Sequence, residues 1–575
     1  MISSSSNSSS RIKILSFAIL AFSSVLILKL FFVQVVYSGS YSERADRQYA
    51  TPSSNIFERG TIFFTRKDGQ LVSAATQSSG YKIAIDPSKI TDIELAYQKL
   101  SEGRSAISID REEFLVKAEK KGDTYEEVAH QISKEKADAV AALKIPGVQI
   151  FKEKWRFYPG ENMASQVLGL VGYSGDELGG RYGLERQYEG NLGKGKDDPY
   201  INFFAEVFSN ISDTLFKGES KSGNVITTLE PAVQGVLEKK LGEVKERYSV
   251  SAIGGIIMDP TDGSIYAMST KPDFDPNNFS KTEKTSLFSN PWVENVYEFG
   301  SVVKPLVMAG ALDAGVVTAE TKYEDKGSVV VEKKTIYNFD KKARGVVDMQ
   351  EVLGQSLNTG MVFVYKKLGK ERLRDYLLSY GIKEKTGIDL PNETSGLVSN
   401  LNVPRELEYA NAAFGQGIAL TPIEMVRALA SLSNGGKLVV PHVVKSIKYD
   451  NGIEKKFSYE TTPTKITPRT AEEITRMLVN VMDKSISGGT LKMEHYSIAV
   501  KTGTAQVANA EGGGYYEDKH THSFFGYFPA HDPKFIIFLY AIDPRGVLYA
   551  SQTWTEPFMD ITKFLLNYYE VQPDR

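Results

Sequence analysis

Three short motifs carry side chains able to build a site that acylates a serine. The first is Ser301-Val302-Val303-Lys304. If Ser301 opens a helix, the i,i+3 spacing sets Lys304 one turn further along on the same face. The lysine nitrogen can then approach the serine oxygen, but it acts as a general base only when neutral, which requires desolvation or a neighbouring cation. A helix start at Ser301 also frees its backbone N–H to stabilise an oxyanion. The second motif is Ser356-Leu357-Asn358. Two residues apart in a loop, a hydroxyl and an amide can face one cleft, the first relaying a proton to a leaving amine and the second gripping a peptide group. The third is Lys501-Thr502-Gly503-Thr504 on a strand-like run. Lys501 and Thr502 offer a cation and a hydroxyl to a substrate carboxylate. Gly503 leaves the strand edge clear for a substrate, and the Thr504 N–H completes the oxyanion hole.

Each motif has decoys. Ser133-Lys134-Glu135-Lys136 fits the first, Ser53-Ser54-Asn55 the second, and both Lys221-Ser222-Gly223 and Lys385-Thr386-Gly387 the third. Context separates them. Ser133 falls in a charged helical stretch, Lys221 precedes the serine in a polar linker, and Lys385 lies in a glycine-bounded loop soon after Asn358. The chosen set falls in order along the chain, with 55 residues between the serines and 143 from Asn358 to Lys501. That ordered triple is the one found in penicillin-binding proteins and β-lactamases.

The elements that must position these residues read as one α+β domain. Asn224 to Leu229 alternates as a strand, and Glu230 to Val244 reads as a helix with Pro231 in its first turn. Ile253 to Met258 and Ser264 to Met268 flank Asp259-Pro260-Thr261-Asp262-Gly263, the composition of a hairpin. Ile498 to Gln506, Phe524 to Phe528 and Phe535 to Ile542 form a late strand series, and Pro557 to Tyr569 reads as a closing helix. Strands at both ends with helices between imply terminal segments sharing a sheet. Thr421-Pro422-Ile423-Glu424 is a capping box. Upstream, Asp123 to Leu143 reads as a polar helix ending before Pro146.

Composition narrows the class. The 575 residues exceed one ordinary domain, and 41% hydrophobic content supports real cores. A net charge of −3 does not describe a nucleic-acid binder, and the lack of cysteine removes thiol chemistry and Cys-ligated metals. His520-Thr521-His522 can share a strand face, which reads as a surface or strand edge rather than a metal site. Arg11 and Lys13 precede an apolar run from Ile14 to Val36, long enough at about 1.5 Å per residue to span a bilayer core of roughly 30 Å. The basic flank sets the N-terminus in the cytoplasm. The expected organisation is a disordered cytoplasmic tail at 1–13, a transmembrane anchor at 14–36, a non-catalytic pedestal at 41–217 and a catalytic domain at 222–570, bounded by the serine- and lysine-rich Lys217 to Gly223.

With these motifs the chain resembles the class B penicillin-binding proteins over roughly residues 12 to 570. Tyr297-Glu298-Phe299-Gly300-Ser301 stands where the family usually has Glu-Pro-Gly-Ser, with Phe299 departing from the proline. Phe414-Gly415-Gln416-Gly417 and Ser523-Phe524-Phe525-Gly526-Tyr527 also match. Arg59-Gly60-Thr61-Ile62, Tyr158-Pro159 and Gly183-Leu184-Glu185 resemble the family's non-catalytic domain, though Phe64 stands where an acidic residue is common. The resemblance implies a penicillin-binding transpeptidase fold, an α+β mixed antiparallel sheet with flanking helices behind an elongated pedestal. It implies a peptidoglycan D,D-transpeptidase acting on stem peptides ending in D-Ala-D-Ala, closer to the septal division type than the elongation type. By carry-over Ser301 is the acylated nucleophile and Lys304 its base, while Ser356 and Asn358 shuttle a proton and position the peptide. Lys501, Thr502 and Thr504 bind the terminal carboxylate and the oxyanion. The family uses no metal or organic cofactor, is acylated by β-lactams, and works at the cell membrane beside a polytopic glycan-polymerising partner. Rival readings are a D,D-carboxypeptidase, a β-lactamase, or a β-lactam sensor or scaffold with little turnover.

Overall fold

The computed structural model describes residues 58–103, 106–175, 177–193, 222–509 and 513–575, with positions 17, 22 and 23. The expected anchor at 14–36, the tail before it, the Ser53-Ser54-Asn55 decoy and most of the Lys217 to Gly223 linker lie outside the described residues. Among the described residues no helix is long and apolar enough to cross a membrane.

The chain divides into two compact units, one holding residues 79–155 and the other residues 58–78 with 156–575. The first is a small α+β body whose core includes Ile83, Ile85, Leu100, Phe114 and Val140. Here one expectation fails. Glu126–Ile132 is a strand, and only Lys134–Ala142 is helical. The strand pairs with the segment around Tyr81–Ile85, burying Ala129 and Ile132, and this pairing overrides local helical preference. The decoy Ser133 is the N-cap of that short helix, its hydroxyl accepting from the Lys136 N–H.

The second unit is built on a five-stranded antiparallel sheet from both ends of its chain. In chain order the strands are β1 (Ala252–Met258), β2 (Ile265–Lys271), β3 (Ala499–Ala508), β4 (Tyr515–Phe528) and β5 (Phe535–Ile542). Their spatial order is β3-β4-β5-β1-β2, so the expected sharing of a sheet by the two terminal segments holds. Helix α1 (Pro231–Tyr248) packs on β2, and the closing helix α2 (Ala550–Tyr568) packs on β4 and on α1. The two-residue period of β4 sorts its faces. Phe524 and Phe528 meet Phe558 of α2, while the Ser523 and Tyr527 hydroxyls reach the opposite lobe at Phe299 and Thr475.

The closing helix begins seven residues earlier than Pro557, which lies inside it. A proline removes the N–H that would bond four residues back. Burial of Trp554, whose indole N–H donates to the His522 carbonyl (3.0 Å), carries the helix across that break. His522 itself contradicts the surface reading of the His-Thr-His run. It is wholly buried on the interior strand β4, with Nδ1 2.8 Å from the Thr553 hydroxyl, and desolvation holds it neutral with a pKa of about 4.

The family-like fragments near the start of this unit converge. The buried Glu185 carboxylate accepts from Arg59 Nε (2.5 Å), Arg156 Nε (2.6 Å) and the Tyr158 hydroxyl (3.3 Å). Arg59 also pairs with Glu189 at 2.7 Å. One buried acid therefore joins three segments that are far apart in sequence.

Candidate active site

Ser301 sits in a 3-10 turn, Gly300–Val303, which feeds directly into the helix Lys304–Asp313. The turn is held without the family's usual proline. Gly300 takes a left-handed φ of +64°, and its N–H donates to the Gly415 carbonyl (3.2 Å). A side chain at Gly415 would stand 2.0 Å from the Gly300 oxygen, which gives the Phe414-Gly415-Gln416-Gly417 run its function here. The Phe299 ring is buried edge-on against Phe538 at 5.1 Å, and its carbonyl accepts from the Ser523 hydroxyl (2.7 Å). Glu298 accepts from the Tyr515 hydroxyl at 3.0 Å.

Lys304 is fully buried, and its Nζ donates to the Ser356 carbonyl (2.6 Å), the Asn358 Oδ1 (2.8 Å) and the Ser356 hydroxyl (3.2 Å). Lys501, 1% exposed, donates to the same Ser356 hydroxyl from the other side (2.9 Å) and to the Thr502 carbonyl (2.9 Å). Ser356 thus bridges the two lysines. It can present both its hydroxyl and its carbonyl because it adopts a left-handed φ of +55°, an uncommon conformation for a residue with a side chain. It follows the helix Met349–Gly354, and Asn358 opens the next, Asn358–Leu368.

The electrostatics follow from burial and proximity. Desolvation, reinforced by the Lys501 charge, holds the Lys304 amine well below the usual lysine range. Desolvation lowers Lys501 to about 7. Two Lys304 hydrogens are taken by acceptors that cannot donate, the Ser356 carbonyl and the Asn358 Oδ1. The third position of a neutral amine is a lone pair, able to take a hydroxyl proton.

Ser301, Ser356, Asn358, Thr502 and Thr504 line one cleft of about 1010 Å³, with Lys304 and Lys501 buried beneath and bonded to its wall. The ordered triple read from the sequence is therefore brought together. Two details differ from the sequence reading. The Asn358 amide is already engaged, Oδ1 with Lys304 and Nδ2 with the Tyr337 carbonyl (2.9 Å), so its acceptor orients the lysine rather than a peptide. Gly503 turns its open side toward the serine turn: a Cβ there would lie 2.4 Å from both the Phe299 oxygen and the Ser523 hydroxyl oxygen. Its glycine serves the close approach of strand and nucleophile turn. Thr504 uses its hydroxyl to accept the Ala550 N–H at the start of α2 (3.1 Å). The decoy Thr386 lies in a separate loop, its hydroxyl donating to Glu393 at 2.6 Å.

Sequence reasoning missed the supports. The buried carboxylate of Asp325 accepts from the Thr359 hydroxyl (2.7 Å), the Asn338 side chain (2.9 Å) and backbone N–H groups of Gly327 and Arg344. This network fixes the 325–344 segment against the helix that Asn358 opens. No local pattern marks it, because its members sit in unrelated stretches of chain. Ser523 stood in a recognised fragment but had no assigned task.

An arrangement of one cleft-lining serine, a depressed lysine, a bridging hydroxyl and a second cation can move a proton from a nucleophile to a leaving group beside a bound anion. Comparison with known proteins agrees. The sequence matches the penicillin binding protein transpeptidase domain over residues 253–562 and the penicillin-binding protein dimerisation domain over residues 57–228. It is 29% identical to the stage V sporulation protein D of Bacillus subtilis, over 87% of this chain and 77% of that protein. It is 26% identical to the peptidoglycan D,D-transpeptidase FtsI of Buchnera aphidicola, over 96% of this chain and 93% of the relative. The crystal structure of penicillin binding protein 2X from Streptococcus thermophilus superposes with a TM-score of 0.71 at 20% identity, covering 90% and 81% of the two chains, a likeness of fold. The chain belongs to the penicillin-binding protein transpeptidase family, in the class B arrangement of a transpeptidase domain joined to a dimerisation domain.

Proposed function

We propose that this chain is a serine-type peptidoglycan D,D-transpeptidase in which Ser301 forms the acyl intermediate. The single observation carrying the residue assignment is the Lys304–Ser356–Lys501 chain of contacts beneath the cleft that Ser301 lines. Neutral Lys304 removes the Ser301 proton as Oγ attacks the carbonyl carbon of the penultimate D-alanine. The proton passes through the Ser356 hydroxyl to the nitrogen of the terminal D-alanine, the C–N bond breaks, and D-alanine leaves. An acceptor amine then attacks the acyl ester, loses its proton to the same relay and regenerates Ser301. Lys501 and Thr502 hold the terminal carboxylate, and the N–H groups of Ser301 and Thr504 receive the oxyanion. Asn358 acts by orienting Lys304. β-Lactams, as mimics of the donor peptide, acylate Ser301.

The apolar run at 14–36 behind a basic flank supports a single-pass anchor with the catalytic domain outside the membrane. A polytopic glycan-polymerising partner and a role in division are part of the same reading; relatives named stage V sporulation protein D and peptidoglycan D,D-transpeptidase FtsI support a role in cell-wall synthesis. The test is a two-substrate assay. A D-Ala-D-Ala peptide with an amine acceptor yields a new peptide bond and free D-alanine from the wild type, and neither from Ser301→Ala. Hydrolysis without transfer would make the protein a carboxypeptidase, and a retained acyl group would make it a sensor.

A further inference from the structure

A second cavity, of about 490 Å³, lies in the larger unit and shares no lining residue with the catalytic cleft. Tyr266 places it on β2, at the edge of the sheet opposite β3. Four strand spacings separate those edges, about 20 Å. The volume suits a small molecule, and the walls are aromatic. Tyr266 and Tyr569 form one group of rings, with centroids 5.8 Å apart. Tyr459 stacks on His442 at 3.8 Å, with Phe457 beside it at 6.4 Å. The three tyrosines and Phe457 are half-buried, so part of their surface stays open.

The lining hydroxyls turn their hydrogens into the protein. Thr65 donates to the Thr227 carbonyl (2.5 Å), Thr228 to the Ile265 carbonyl (2.7 Å) and Tyr459 to the Val444 carbonyl (3.0 Å). Ser264 follows by elimination. The Val440 carbonyl can only accept, so His442 Nδ1, 2.9 Å away, carries the imidazole hydrogen. Nε2 is then the acceptor and takes the Ser264 hydroxyl hydrogen at 3.1 Å. Burial lowers the His442 pKa and keeps the ring in this neutral form. These four oxygens have only lone pairs left to offer, and the exposed Asp262 carboxylate adds a further acceptor. Donors sit at the exposed rim. Lys445 makes no ion pair among the described residues, and Arg66 reaches Gln70 at 3.3 Å and Asp68 at 3.6 Å. Lys67 and Glu230 are engaged internally, the first with the Tyr568 carbonyl (2.7 Å) and the second with the Val233 N–H and the Tyr568 hydroxyl (both 2.7 Å).

A matching ligand needs an apolar face for the rings, several hydroxyl donors for the acceptors, and an acceptor of its own for the rim cations. A free phosphate sets acceptors against acceptors and has no apolar face. An N-acylated amino sugar has all three features in its C–H face, its ring hydroxyls and its acyl carbonyl. We propose that this cavity is a saccharide site, apart from the acylation cleft, that takes an N-acylated amino sugar of the glycan strand. Naming the glycan rests on the transpeptidase reading above, because the donor peptide is carried on such a polymer. The rings cover the sugar face, the inward-donating hydroxyls and Asp262 accept from its hydroxyls, and Lys445 and Arg66 meet its acyl oxygen.

The experiment is titration calorimetry of the full chain in a sugar-free detergent. The probe is the β-1,4-linked tetramer of N-acetylglucosamine, compared with cellotetraose, which lacks the acylamino groups, and with inorganic phosphate. The wild type binds one tetramer per chain, about fivefold or more tighter than cellotetraose, and phosphate does not compete. Protein already acylated by benzylpenicillin binds it equally well. Tyr459→Ala and an Arg66→Ala/Lys445→Ala double variant each weaken binding about tenfold, while benzylpenicillin acylation keeps its wild-type rate. The double variant changes only exposed side chains, so it reads the site even if loss of the Tyr459 ring disturbs folding. No binding by the wild type, binding abolished by penicillin acylation, or binding unchanged in the double variant would overturn the site and leave the transpeptidase reading standing. Tetramer binding by a wild type that benzylpenicillin does not acylate would support the site and remove the transpeptidase reading alone.

Discussion

At the residue scale the chemistry turns on two buried lysines sharing one hydroxyl. Their opposed tasks set the pH dependence. Lys304 must be neutral to accept a proton, so acylation falls as pH drops through its depressed pKa. Lys501 must be charged to hold a carboxylate, and with a pKa of about 7 in the free protein it loses that charge as pH rises. The second-order rate of penicillin acylation is therefore bell-shaped, with its alkaline limb starting near pH 7 rather than near 10, and stopped-flow acylation across pH measures it. Lys501→Met lowers the rate and removes the alkaline limb. Asn358→Ala frees the Lys304 amine from one of its anchors, and acylation falls about a hundredfold while penicillin still modifies only Ser301. These side chains were legible in the sequence because each motif is local, with its members within a few positions of one another. The finer assignment was not. That Asn358 serves the lysine, and that Ser356 is left-handed, depend on contacts between segments that no spacing encodes.

At the element scale the nucleophile is placed by close approach. The serine turn rests against β3 where Gly503 leaves room, and its Phe299 carbonyl is held by Ser523 of β4. Gly503→Ala puts a methyl group 2.4 Å from the Phe299 oxygen, so the turn must shift. Acylation drops about a hundredfold or more, whereas the thermal transition moves only a few degrees; unchanged acylation would refute this placement. The strands and the capping box of Thr421 were readable from alternation and capping chemistry. Two elements were not. The strand at Glu126–Ile132 draws its stability from pairing with a distant segment, and the helix around Pro557 draws its first turns from the burial of Trp554. In both, tertiary packing outweighs the local signal.

For the whole molecule, the buried Arg59–Glu185–Arg156 cluster joins chain segments that enter the larger unit separately. Glu185→Gln leaves two guanidiniums without their shared charge and destabilises the unit by about 3 kcal/mol in denaturant titration, while the folded fraction is still acylated by penicillin at the wild-type rate. The sequence marked Arg59 and Glu185 by resemblance but not their contact, and Arg156 drew no notice because nothing beside it in the chain suggests a buried ion. The account as a whole depends on one hydroxyl being activated in one cleft. Intact-mass analysis of the full chain after exposure to benzylpenicillin tests that most directly. The wild type gains the mass of one penicilloyl group, mapped to Ser301, and Ser301→Ala gains none. An adduct that persists in Ser301→Ala, or maps to another residue, would contradict it.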